Sequence, residues 1–301
     1  MAQQPTNEVL QQKYAAQALI AMSVMKPMGL AKFCEKGDPT GGESYTFYRA
    51  EASTAKDGLP SMFNSTDKGY EGDSGNNGGD AGPLKAYKCT GAYISSQHKI
   101  GDIEFKKTNL DAKGTLQQTM AIALAQKEDS KILAAIKAED SALSKKEFTS
   151  GTAKGLDNDT VTRALIGRIA VAHAHAKMTP DGQKGVSVVI NMKDWETLVS
   201  TDFYLKDEFK DSVIWGDNET PTKIKGAEFL ITEDDSMTPS GTIYIVPSNT
   251  CGCANWKGTE KAVAEFHETD GARWHLQNRK YMGAKCIEPK YITKFTFKPV
   301  A

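Results

Sequence analysis

The sequence predicts an α+β fold, and three observations point to it. A long apolar-periodic helix occupies residues 111–141, strand-like alternation lies on both sides of it, and a compact run of helix, strand, helix, strand and strand follows it. In the helix, Leu116, Met120, Ala123, Leu124, Ile132, Leu133 and Ile136 recur at helical spacing with polar residues between them and no Pro. Asp111 stands where an N-cap is needed, and Lys145, Lys146 and Gly151 lie beyond the far end. About thirty residues at ~1.5 Å each make a rod of roughly 45 Å, so other elements must lie along it.

Ahead of this helix, Val9, Leu10, Tyr14, Ala18, Leu19, Met22 and Met25 recur at helical intervals behind Thr6 or Asn7, until Pro27 and Gly29 stop the pattern. Such a terminal helix either packs on its own core or forms an arm against a neighbour. From Glu43 the pattern becomes ESYTFYRAEAS, which puts Tyr45 and Phe47 on one face of a strand. A second strand region, AYKCTGAYISSQHKIGDIEFKK, carries Tyr87, Cys89, Tyr93 and Ile94. The Gly-dense segment TDKGYEGDSGNNGGDAGP between them predicts a long two-stranded excursion with a flexible tip. An isolated hairpin is marginal in water, so this one requires another surface, which can belong to another subunit.

After the long helix, Asp157 or Asn158 caps a helix with Val161, Leu165, Ile169 and Ala172 on one face. Residues 186–190 read as a buried strand feeding a helix with Trp195 and Leu198, and 229–231 and 243–246 as two further strands. This predicts a mixed sheet covered by helices. In the last segment AVAEF, ARWHL and YITKFTF alternate, and they are expected as long strands beside the long helix.

Composition narrows the function. The 301 residues are 39% apolar and 25% charged, enough for one large or two modest domains with a real core. A formal charge of -1 and a pI near 6.5 argue against a dedicated nucleic-acid binder and toward protein partners. Five scattered cysteines make a disulfide framework improbable and reduced thiols in an intracellular compartment the expectation. The N-terminal residues show no basic n-region, and neither a signal peptide nor a membrane span is expected.

Motifs for chemistry are lacking. His173 and His175 stand about 200° apart on a helix, so one ion cannot take both. Cys251-Gly-Cys253 has no second close Cys pair at zinc spacing. The tip with Glu71, Asp73, Asn76, Asn77 and Asp80 lacks the spacing and closing Glu of an EF-hand. No phosphate-loop, dinucleotide, zinc-protease or nucleophile-elbow motif occurs. No catalytic residue, cofactor or metal is expected.

The order of arm, hairpin, long helix, compact unit and return strands resembles the major capsid proteins of tailed double-stranded-DNA bacteriophages, with their Hong Kong ninety-seven type of fold. Tyr281-Met-Gly283-Ala284-Lys-Cys-Ile287-Glu-Pro289-Lys-Tyr-Ile292 resembles the closing signature of that family. VSVVINMKDWETLVS, with Trp195, resembles its strand and following helix, and TKIKGAEFLITEDD, with Gly226, its glycine, strand and turn. The resemblance implies an N-terminal arm at 1–42 and an extended β-hairpin loop at 43–108. It implies a peripheral domain, with the spine helix and long strands, at 109–150 and 255–301, and a compact α/β axial domain at 151–254.

It further implies a structural role: self-assembly into pentamers and hexamers of an icosahedral head around double-stranded DNA, without sequence-specific binding. A separate scaffold protein, a portal and a decoration protein are the implied partners, with no membrane. The place is the virion capsid, after assembly in the host cytoplasm. Tyr14, Leu19, Tyr45, Phe47, Tyr70, Tyr87 and Tyr93 are the expected intersubunit contacts. Some members join a loop Lys to a neighbour's Asn, but no local pattern selects among Lys56, Lys68, Lys85 and Lys88, so crosslinking is not expected. The alternatives are an encapsulin-like nanocompartment shell and, from another class, a soluble α/β enzyme.

Overall fold

The computed structural model describes residues 29–50, 84–101, 112–149, 155–177, 185–200, 213–215, 221–259, 261–267 and 273–298. The expected terminal helix and the hairpin tip, with Tyr14, Leu19 and Tyr70, lie outside the described residues. Among the described residues, no helix is long and apolar enough to cross a membrane.

The long helix is α1 (Ala112–Ala138). Met120, Ile132, Leu133 and Ile136 are buried, whereas Ala123 and Leu124 are only half-buried. The same face carries an acid, Asp129, one helical turn before Leu133. Its carboxylate accepts the backbone N–H groups of Gly29 and Leu30, each at 2.9 Å, at the start of a short 3₁₀ turn (Leu30–Lys32). Next to it, Glu128 pairs with Lys280 at 3.1 Å in a largely buried contact.

Among the described residues there are three sheets, and two of them pack against this helix. Strands β2 (Ser44–Ala50) and β3 (Leu84–Thr90) form an antiparallel pair, as the alternation of their residues predicts. Below them lies a sheet built on β13 (Arg273–Cys286), a strand of 14 residues. β4 (Ala92–Gly101) runs along one side of β13, and β11 (Cys251–Asn255) and β12 (Lys261–His267) follow one another along its antiparallel partner line. β1 (Glu35–Gly37) adds to β11 in parallel. The third sheet has seven strands, in the order β5 (Ser144–Phe148), β14 (Thr293–Phe297), β10 (Thr242–Pro247), β6 (Val186–Asn191), β9 (Ala227–Thr232), β8 (Pro221–Ile224) and β7 (Val213–Trp215).

Both faces of the seven-stranded sheet are covered, so its central strands β6 and β10 are buried on both faces nearly throughout. On one face Val188, Ile190, Ile243, Ile245 and Phe295 pack against α2 (Asp159–Lys177) and α3 (Met192–Ser200). On the other, Val189, Leu230, Tyr244 and Val246 share a core with α1 and with β11 and β13. The face of α2 read from periodicity, Val161, Leu165, Ile169 and Ala172, is buried throughout. Its cap is Asn158, whose Oδ1 accepts the N–H of Thr160 at 2.9 Å.

Two strands fall where the sequence reading did not put them. YITKFTF, expected beside the long helix, is β14, and it pairs with β10 and β5 in the seven-stranded sheet. Its alternation is the reason: Thr293, Phe295 and Phe297 are buried, and Phe295 completes the core under α2. β11, most of which the expected boundary at 254 gives to the compact unit, pairs instead with β13. Alternation says which face of a strand is buried but not which sheet supplies the cover.

Candidate functional site

The base of the hairpin is seated on the β13 sheet by a cluster of aromatic rings and close backbones. Phe47, Cys89, Ala254, Trp256 and Ile287 form a buried core, with Tyr45, Tyr87 and Tyr281 packed at its margin. Phe47 and Tyr45 meet edge to face at 4.9 Å, and Trp256 and Tyr281 do so at 4.8 Å. The indole N–H of Trp256 donates to the carbonyl of Gly42 at 2.7 Å, and the Gly91 N–H donates to the carbonyl of Glu43 at 2.9 Å. These bonds clamp both ends of the hairpin base.

Glycine makes the seat shallow enough. A Cβ at Gly252 would sit 2.5 Å from the Phe47 ring, and one at Gly283 would sit 2.8 Å from the Thr90 carbonyl oxygen. The ring and the strand therefore rest directly on backbone. Arg49 fastens the edge by pairing with Glu35 and donating to the carbonyl of Asn249 at 3.0 Å.

This arrangement separates the expected contact residues. Phe47, read as an intersubunit contact, is 2% exposed and belongs to the chain's own core, so it is not available to a neighbour. Tyr45 and Tyr87 are half-buried against the same core. Tyr93 is the opposite case: it is 68% exposed and leans on Tyr281 at 4.7 Å. Tyr48, on the strand face turned away from the seat, is also exposed.

The signature residues all take structural positions. Gly283 admits β3, Ala284 touches the core under α1, and Ile287 is sealed into the hairpin seat. Pro289 opens a 3₁₀ turn (Pro289–Tyr291). Trp195 packs on Phe229 at 5.0 Å, and Gly226 takes a left-handed φ of 79° in the turn between β8 and β9. Of the histidine pair, His173 faces Gly226 and His175 stacks on Tyr291 at 4.4 Å. Among the described residues, no group of three or more His, Cys, Asp or Glu side chains is placed to hold a metal.

Several residues that hold the molecule together were not singled out from sequence. Trp256 and Gly252 complete the seat, and their role depends on strands far apart in the chain. Asp129 did leave a signal, as a lone acid at helical spacing from Ile132, Leu133 and Ile136. At the far end of α1, Asp140 accepts Lys294 at 2.7 Å and Lys145 at 2.9 Å, tying the helix end to β14 and β5. The hydrogen bonds from Lys294 and then Lys145 hold its carboxyl below the usual carboxylate range. Asp194 accepts Ser240 Oγ and Gly241 N–H, both at 2.8 Å, and burial pushes its carboxyl up against those bonds.

No protein-family model and no curated protein matches the sequence. Solved structures do match the fold. A chain of the capsid of the cyanophage P-SCSP1u superposes with a TM-score of 0.59 over 90% of this chain and 88% of that one, at 11% identity. A chain of the capsid of an empty GTA particle gives 0.58 over 90% of each, at 12% identity. The virus-like particle of Pyrococcus furiosus gives 0.54 over 93% and 96%, also at 12% identity. At these identities the likeness is one of fold, and the chain has the Hong Kong ninety-seven type of capsid fold.

Proposed function

We propose that this chain is a major capsid protein, the structural subunit of an icosahedral phage head that assembles into pentamers and hexamers around double-stranded DNA. The observation that carries the reading is the match to capsid subunits over about nine-tenths of both chains. The role is mechanical and not catalytic. Shell subunits of this kind make heterologous contacts that close into rings. Such contacts bury a few thousand Å² in total, which a docked arm and hairpin supply and a single globule does not.

In this reading residues 1–42 are the arm and 43–108 the extended loop. Residues 109–150 and 255–301 form the peripheral domain, and 151–254 the axial domain, with β14 crossing back to complete the axial sheet and β11 the peripheral one. Among the described candidates, Tyr93 is the intersubunit contact that exposure supports best. A separate scaffold protein, a portal and a decoration protein are the partners, and assembly takes place in the host cytoplasm before the shell becomes part of the virion. The DNA is held without sequence-specific contacts, which suits a chain of formal charge -1.

The test is electron microscopy of the full-length chain, expressed alone and with a candidate scaffold protein. Closed particles, or regular pentamers and hexamers, are the expected result, and a monomer under both conditions rejects the reading. A second reading, a shell around a protein cargo, is favoured by the match to the Pyrococcus furiosus virus-like particle. Nuclease-protected DNA inside the particles supports a phage head, whereas a co-purifying enzyme supports the second reading.

A further inference from the structure

All five cysteines are buried and carry free thiols. Cys34, Cys251, Cys253 and Cys286 line the core shared by α1 and the β13 sheet. Antiparallel β11 and β13 put Cys251 directly opposite Cys286. The Ile287 N–H donates to the Thr250 carbonyl at 2.9 Å, and the Trp256 N–H donates to the Tyr281 carbonyl at 3.2 Å. Those bonds mark Thr250 with Ile287, and Trp256 with Tyr281, as hydrogen-bonded positions, so the period of two makes Cys251 with Cys286 a non-hydrogen-bonded position. Partners at such a position have Cα atoms about 4.5 Å apart and side chains on one face. A disulfide accepts Cα separations of about 4.4–6.8 Å. Cys253 faces Ala284 and has no thiol across the strands.

We propose that Cys251 and Cys286 are a redox modification site, a dithiol that a small peroxide converts into a cross-strand disulfide stapling β11 to β13. The sulfur of one residue attacks the peroxide O–O bond and becomes a sulfenic acid, releasing water. The sulfur of the other then displaces the sulfenic oxygen, which leaves as a second water once protonated, and the S–S bond forms. The two sulfurs together lose two electrons, and the peroxide accepts them.

The surroundings set when this happens. A hydrogen bond to Cys286 and then burial push the Cys251 thiol well above its usual range. In a reducing compartment the pair stays as thiols and reacts slowly. A peroxide small enough to enter on local opening closes it once the protein meets an oxidising medium. The staple joins the first residue of β11, a few residues before Ala254 and Trp256, to the last residue of β13, one residue before Ile287, so it locks the floor of the hairpin seat. The proposal does not depend on the capsid reading.

The full-length protein is treated with hydrogen peroxide in native buffer, quenched with catalase, then denatured and alkylated for thiol counting and peptide mapping. Free thiols are expected to fall from five to three. One linked peptide pair, carrying Cys251 and Cys286, accounts for the loss, and a dithiol reductant restores all five. Cys286→Ser is expected to yield no linked pair, while Cys89→Ser keeps it. Five thiols remaining, oxygenated sulfurs without a link, or a main link through Cys34, Cys253 or Cys89 overturns the proposal. Mapping of the unmodified chain decides the matter even if Cys286→Ser fails to fold.

Discussion

Asp129 of the long helix accepts the backbone N–H of Leu30 at 2.9 Å, and both residues are buried. With the matching bond from Gly29, this one carboxylate holds the start of the Leu30–Lys32 turn against α1. Burial pushes its carboxyl above the usual range, and the N–H groups of Gly29, Leu30 and Ala31 pull it back. Asp129→Ala leaves two N–H groups without their acceptor and is expected to cost about 2–4 kcal/mol in urea unfolding.

The pH dependence has a definite sign. A carboxyl raised in the fold stabilises it fully below the unfolded value of about 3.9, and the contribution is lost as pH rises through the raised value. The stability advantage of the native protein over Asp129→Asn should therefore shrink from acid to neutral pH. A difference that grows with pH would show that the ionised form is the favoured one.

Asp140 predicts the reverse. Its carboxyl is lowered by Lys294 and Lys145, so its contribution is present above about 3.9 and fades as pH falls through the lowered value. The side chain is 39% exposed, and solvent screening limits the effect of Asp140→Asn to under about 1 kcal/mol. Added salt should shrink it further, and unfolding in low and high salt at two pH values checks both statements.

Phe47 and Gly252 should behave as one unit. Phe47→Ala empties the hairpin seat and is expected to cost about 3–5 kcal/mol. Gly252→Ala puts a methyl group 2.5 Å from the ring and destabilises through overlap. In Phe47→Ala the same methyl enters vacated space, so the double variant should lose less than the sum of the singles. Additive losses in a thermodynamic cycle would refute the contact.

Tyr93 separates folding from assembly. Its ring is 68% exposed, and stacking on Tyr281 is worth about 0.5–1.5 kcal/mol at most. Tyr93→Ser should leave unfolding of the unassembled chain nearly unchanged while cutting particle yield in electron microscopy. Normal yield with the variant would remove Tyr93 from the interface.

The order of elements was legible because helical and strand periodicities are local properties of the chain. Val161, Leu165, Ile169 and Ala172 are buried along α2 as their spacing requires, and Tyr45 and Phe47 share a strand face as alternation requires. Apolar spacing and the absence of Pro likewise announced α1, whose described span of 27 residues runs three residues short of the expected end.

What covers each face was decided only in three dimensions. Phe47 had a correct face and the wrong partner, because the backbone of Gly252 and the side chain of Trp256 reach it from strands far along the chain. YITKFTF had the right alternation and the wrong sheet, since pairing with β10 and β5 buries Phe295 under α2. Asp129 finds its partner 99 residues away. Periodicity follows from the geometry of neighbouring residues, whereas partner choice follows from how separate faces fit together and bury apolar area, and that free energy belongs to the whole fold.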